Sequence, residues 1–328
     1  MSLRKKLGRW PAIAVALLLF GCDENQPSPT DPSAASPLPS PSTAVTAAKS
    51  RSGKIAFSTD RDGNFEIYTM GPGGRDLSRL TNDPGSDTEP QWSSDGSRLV
   101  FVRDGDIFVM NPDGSGQTNL TNTPPPSLDV SPTWSPDGSK IAFTSFRDGG
   151  FILRLYVMNA DGSNVVRVST PDPAQDRNPT WSPSGNRIAF VRSLEQGSGP
   201  PVGDIFYVSP DGSGLTNVTN NPAEYSTPSW SPTGGKIAFS GNLPGFEAQS
   251  SEIFVMNADG TGRVDVSNNP AYDYDPDWSG DGSQLVFTSG RVLTPYNYDV
   301  FVMDADGRHQ RSLTGKSLAQ DLSPDWSP

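Results

Sequence analysis

Short apolar runs alternate with polar stretches rich in glycine and proline along most of the chain, and the runs recur. Six apolar triplets begin at Ile55, Leu99, Ile141, Ile188, Ile237 and Leu285, each reading Ile-Ala-Phe or Leu-Val-Phe. A second apolar run follows each triplet, from Ile67, Ile107, Leu155, Ile205, Ile253 and Val300. Runs this short, bounded by turn formers, predict β-strands rather than helices. A tight turn such as Asn111-Pro112-Asp113-Gly114 comes next, where glycine takes a positive φ without steric cost. A short strand closes each unit, as at 119–121 and 167–169.

A Pro-x-Trp-Ser element completes the pattern. Trp92, Trp134, Trp181, Trp230, Trp278 and Trp326 stand 42, 47, 49, 48 and 48 residues apart, each two residues after a proline. Four short strands repeated every ~45 residues predict an all-β, six-bladed β-propeller. The first unit, from Ile55, lacks its own Pro-x-Trp strand, and the last residues supply one with nothing after it. One C-terminal strand should therefore join three N-terminal strands in the same blade, which removes the open edges. The expected propeller spans 53–328, and the six repeat tryptophans are read as core.

The first 52 residues follow a different pattern. Arg4, Lys5, Lys6 and Arg9 precede an apolar run that ends at Leu19-Phe20-Gly21-Cys22. The run is too short for the ~20 residues of a membrane span. It is similar to the signal peptide and lipobox of bacterial lipoproteins, which implies cleavage after residue 21 and acylation of Cys22. Residues 22–52 hold six prolines and no aromatic residue, so they are expected to form a disordered, lipid-anchored tether. Fully extended, it would reach at most roughly 90 Å.

Composition narrows the chemistry. The chain has one histidine and one cysteine among 328 residues, which excludes a Cys/His zinc cluster and a disulfide framework. Net charge is −12, and removing the leader leaves 21 Lys and Arg against 37 Asp and Glu, a net −16. Such a balance argues against nucleic acid, where affinity comes mainly from Lys and Arg on phosphates. No cofactor, metal site or catalytic residue is expected. His309 reads as a solvated turn residue, and Asp60–Glu66 as a hairpin connection despite calcium-like acid spacing.

The units at 132–145, 107–121 and 57–70 resemble the WD-like repeats of the TolB-type propeller family. That resemblance covers 53–328 and implies a cell-envelope role. The family's namesake binds the peptidoglycan-associated lipoprotein within the Tol system, and similar propellers cap prolyl-oligopeptidase-type peptidases. The namesake carries an α/β domain before its propeller, where this chain has the tether, so contacts made by that domain are not carried over.

Comparison among the repeats marks further candidates. Three residues before each Pro of Pro-x-Trp stand Asp87, Asp129, Asp176, Tyr225, Asp273 and Asp321. The loops after the triplets hold Arg61, Arg103, Arg147, Arg192 and Arg291, while blade 5 has Asn242. The blade without the Asp is the blade without the Arg. This predicts an Asp–Arg pair within each of five blades at one channel mouth, with a cation site or direct partner contact as alternatives. Blades 4, 5 and 6 carry long loops at the same mouth, and Tyr225, Phe246, Tyr272, Tyr274, Tyr296 and Tyr298 are expected there as a partner-binding patch. The reading is a non-catalytic, monomeric envelope lipoprotein, periplasmic or on the outer-membrane side. It should bind a protein, glycan or peptidoglycan-associated component through this mouth and touch the membrane only through its anchor. A carboxylate-dependent hydrolase or lyase, or a purely architectural protein, are the alternatives.

Overall fold

The computed structural model describes residues 53–328 apart from 150–151, 171–172, 195–202, 222, 243–249, 292–296 and 316–317. The leader, the tether and Cys22 lie outside the described residues. Blade 1 contains β1 (Ile55–Thr59), β2 (Glu66–Met70) and β3 (Ser78–Arg79). Blade 2 is β4 (Asp87–Trp92), β5 (Leu99–Arg103), β6 (Asp106–Met110) and β7 (Thr118–Asn119). Blade 3 is β8 (Asp129–Trp134), β9 (Lys140–Ser145), β10 (Arg154–Asn159) and β11 (Val166–Arg167). Blade 4 is β12 (Ala174–Trp181), β13 (Ile188–Leu194), β14 (Gly203–Val208) and β15 (Thr216–Asn217). Blade 5 is β16 (Glu224–Trp230), β17 (Lys236–Asn242), β18 (Glu252–Asn257) and β19 (Val264–Asp265). Blade 6 is β20 (Asp273–Trp278), β21 (Gln284–Ser289), β22 (Asp299–Asp304) and β23 (Arg311–Ser312). The last strand, β24 (Asp321–Trp326), pairs antiparallel with β1 and is the fourth strand of blade 1.

The result is six four-stranded antiparallel sheets, closed by one C-terminal strand as the repeat pattern predicts. The Pro-x-Trp strands β4, β8, β12, β16, β20 and β24 contact one another in a ring and form the innermost layer. Apolar cores lie between blades, and each holds one repeat tryptophan. Trp92, for example, packs with Ala56 and Ile67 of blade 1 and with Leu99 and Phe101 of its own blade. The tryptophans point to the preceding blade because each Pro-x-Trp strand carries a bulge in its pairing. The residue before each proline (Glu89, Ser131, Asn178, Thr227, Asp275, Ser323) has a φ between 41° and 53°. The bulge shifts the strand's two ends into different side-chain phase.

Most tight turns gather on the face where the innermost strands end. There Gly162, at φ 83°, abuts the previous blade: a β-carbon would come 2.7 Å from the Leu120 carbonyl oxygen. Glycine is needed at that turn both for its backbone and for the space. The chain enters the ring on this face, where the Lys54 amide donates to Ser327 Oγ at 2.7 Å and the Ser327 amide to the Lys54 carbonyl at 2.8 Å. The opposite face, where the innermost strands begin, is the mouth considered next.

Candidate functional site

At the mouth, Asp87, Asp129, Asp176, Asp273 and Asp321 sit at or near the start of the innermost strands and are fully buried. Each faces the arginine of its own blade. Arg61 Nη2 lies 2.8 Å from Asp321, Arg103 Nε 2.6 Å from Asp87, Arg147 Nη2 2.9 Å from Asp129 and Arg192 Nη1 3.0 Å from Asp176. Arg291 pairs with Asp273 in the same way. The guanidinium of each also lies over aromatic rings of its blade, Arg147 at 4.8 Å from Phe143 and 5.0 Å from Tyr156, Arg103 at 4.9 Å from Phe108. The unit is thus a carboxylate, a guanidinium and an aromatic floor, and the arginine gains from both neighbours. Burial pushes Asp87 up to about 6 even with Arg103 beside it, and raises Asp273 and Asp321 for the same reason. These acids are sealed in the blades and do not present an open anionic ring.

Blade 5 explains the joint loss of Asp and Arg, and it corrects one expectation. Tyr225 is not a loop residue at the mouth. It lies in β16, is 5% exposed, and its ring sits 5.4 Å from Phe239, which stacks on Phe254. The tyrosine ring covers the phenylalanine that an arginine covers elsewhere, so one aromatic side chain replaces the pair. The Arg263 guanidinium also lies over the Tyr225 ring at 5.8 Å. Tyr225 therefore leaves the partner-binding patch and joins the core.

Three of the remaining candidates come together at blade 6. Tyr274 is a strand residue of β20, half-buried, with Tyr272 stacked on it at 6.0 Å and an interplanar angle of 4°. Tyr298, just before β22, approaches Tyr274 at 6.3 Å. Tyr272 is 42% exposed, whereas the other two are partly covered. Phe246 and Tyr296 lie outside the described residues.

The channel carries a second set of acids that the repeat comparison passed over. Glu89 on β4 and Asp275 on β20 precede the prolines, and burial pushes Glu89 up to about 7 and Asp275 to about 6. Glu89 also feels Asp275, two strands away round the ring, which puts both at the central channel. Two residues further along each strand, the residues between Pro and Trp reach to the next blade. Gln91 Oε1 accepts from the Trp134 amide at 2.9 Å, Asp277 Oδ2 from Trp326 at 2.8 Å and Asp325 Oδ2 from Trp92 at 2.7 Å. Burial raises both Asp277 and Asp325, and Asp277 raises Asp325 further. The signal was present in sequence as the variable residues flanking each proline, where acids occur in blades 2, 6 and 1 only.

Comparison with known proteins places this geometry. The family profile described as TolB beta propeller domain matches residues 103–204 and 178–328, more than half of the chain. The chain belongs to the TolB β-propeller family. A 71-residue stretch is 42% identical to the Tol-Pal system protein TolB of Syntrophus aciditrophicus (strain SB), covering 19% of this chain and 16% of that relative. The chain thus matches only a small part of that relative's length. Among solved structures, TolB from Acinetobacter baumannii superposes with a TM-score of 0.68 at 17% identity, over 85% of this chain and 68% of that one. An oligogalacturonate lyase from Vibrio parahaemolyticus superposes with a TM-score of 0.55 at 15% identity, over 80% and 75%. At these identities the two structures speak for the fold alone.

Within this TolB-type ring the remaining polar candidates have local partners. His309, 79% exposed at the side chain, places Nδ1 2.6 Å from Asp304 Oδ2 in its hairpin turn. In the Asp60–Glu66 connection, Asn64 Nδ2 donates to the Asp83 and Gly85 carbonyls at 2.8 and 2.7 Å, and Asp62 accepts from the Tyr68 hydroxyl. Among the described residues no group of three or more His, Cys, Asp or Glu could hold a metal ion.

Proposed function

We propose that this TolB-type propeller is a non-catalytic cell-envelope protein, lipid-anchored through Cys22, that binds an envelope protein or peptidoglycan-associated component at its loop-rich mouth. The observation that carries the reading is the exposed Tyr272 ring stacked on Tyr274 beside Tyr298. Rings held on a rigid blade offer contact area at little entropic cost. The Tol-Pal relative supports a partner of the envelope kind. The chain enters the ring on the opposite face, so a tether from Cys22 would leave this mouth clear.

The test uses the lipid-free chain with two purified probes, a peptidoglycan-associated lipoprotein and isolated peptidoglycan, measured separately. Tyr272→Ser with Tyr298→Ser should weaken binding at least tenfold and shift melting by only a few degrees. Equal binding by the double variant, or a collapse of stability, would mean that the tyrosines only order their loops. Turnover of a polyuronide by the purified chain would favour the lyase alternative. For the anchor, Cys22→Ala should release the protein from membranes, and mass spectrometry of the membrane form should find acylated Cys22 as its first residue.

A further inference from the structure

We propose that Asp277 and Asp325 form a proton-controlled clasp on the closing strand β24, holding the ring shut while the pair shares a proton and loosening it when both ionise.

β24 is the strand whose covalent neighbours lie at the far end of the sequence from the rest of its blade, so its side-chain contacts to the flanking blades matter more than elsewhere. On one side, Asp277 of β20 takes the Trp326 amide at 2.8 Å and the Ser229 hydroxyl at 2.9 Å. On the other, Asp325 of β24 takes the Trp92 amide of β4 at 2.7 Å. Asp275 adds a third contact, accepting from Ser323 Oγ at 3.1 Å. The equivalent contact between blades 2 and 3 is made by the neutral Gln91. Carboxylate contacts thus join β24 to both flanking strands, through Asp277 on β20 and through Asp325 of β24 itself.

The strands around the pair supply acids and neutral groups. Asp275 stands on β20 and Glu89 on β4, β16 offers Ser229, and β8 and β12 offer Thr133 and Thr180. At the far end of β24, Asp321 is paired with Arg61, and Asp299 of β22 feels Asp321. Arg177 of β12 lies beyond the bulge and donates to Gln175 at 2.8 Å. Among the described residues neither Asp277 nor Asp325 faces a cation. Asp277 and Asp325 hold the same position on the adjacent inner strands β20 and β24, so the ionisation of one works against the charge of the other. With β24 undocked, Asp325 leaves with the strand and Asp277 on β20 is bared to water, so both ionise near the ordinary aspartate value. The closed ring therefore holds a proton that the open one releases, and rising pH favours opening.

The test is hydrogen exchange of the full chain, followed at the Trp326, Trp92 and Trp134 amides from pH 4.5 to 8.5 and corrected for intrinsic chemistry. The opening constants at Trp326 and Trp92 should rise more steeply than at Trp134, by about tenfold per pH unit for one proton released. Asp277→Asn and Asp325→Asn each keep an acceptor oxygen but remove one titrating group, so each should lower the slope at Trp326 and Trp92, and the double change should bring it down to that at Trp134. Equal slopes at the three amides in the unaltered chain, or undiminished slopes in the variants, would overturn the clasp. If one variant fails to fold, the other and the three-amide comparison still decide.

Discussion

Arg147 shows how much a single mouth residue holds. It binds buried Asp129 and covers Phe143 and Tyr156, so Arg147→Ala strips a carboxylate of its partner in a dry site and bares two rings. Removing one partner of such a pair costs about 3–5 kcal/mol. Blade 5 supplies the remedy. The double change Asp129→Tyr with Arg147→Asn copies Tyr225 and Asn242, and urea unfolding should show it less damaging than Arg147→Ala alone. A double variant no more stable than the single one would mean that the Tyr225 arrangement depends on Arg263 and Phe239 beyond the ring-for-guanidinium exchange. The Asp–Arg register was legible in the sequence because the repeats align and both residues vanish together from blade 5. The fate of Tyr225 was not. Its alignment with the aspartates marked it as a blade residue, but its place among loop tyrosines outweighed that, and only packing on Phe239 reveals the substitution. The channel acids escaped notice for a different reason. Glu89, Asp277 and Asp325 occupy positions where other blades carry Ser, Thr, Asn or Gln, so no repeat consensus singles them out.

At the scale of the element, the four-stranded blade depends on its turns and on the bulged inner strand. Gly162→Ala would drive a methyl against the Leu120 carbonyl and force a left-handed backbone on alanine. Strain of this kind costs roughly 1–3 kcal/mol. The melting temperature should fall for Gly162→Ala and stay nearly constant for Gly149→Ala only if steric contact, beyond φ, sets the cost, since nothing approaches a β-carbon at Gly149. Trp134, 5% exposed in the core between blades 2 and 3, sets the other limit. Trp134→Ala should lose about 3–5 kcal/mol by denaturant titration. Strand number, order and the closing pair were all readable from the spacing of these units. The bulge was not, because its cause is a left-handed residue before each proline, and that residue differs in type from blade to blade.

For the whole molecule, buried and half-buried acids set an unusual pH dependence. Burial raises Asp87, Asp275, Asp277 and Asp299 to about 6 and Glu89 and Glu252 to about 7. In the unfolded chain these groups ionise near pH 4, so the folded state binds more protons between about 4 and 7. Their contribution to stability is fully present below that range and is lost as pH rises through it. Exposed turn aspartates act in the other direction: hydrogen bonds from Ser93 and Ser97 hold Asp95 down to about 2, and that support is lost as pH falls. Urea midpoints at constant ionic strength should therefore peak near pH 4–5 and decline towards pH 8. A flat profile from pH 5 to 8 would mean that the buried acids are solvated in the folded ring.

The meeting of Lys54 with Ser327 on one face has a further consequence. The ring can be circularly permuted: a short peptide joining the two ends would lie along that face, and new ends could open at Asp137-Gly138, where no neighbouring atom approaches the glycine. In such a permutant β24 becomes an ordinary interior strand and β8 inherits the closing position. The new seam rests on the neutral Gln91 instead of Asp277 and Asp325, so the sensitivity of closure to alkali should disappear while the six blades remain.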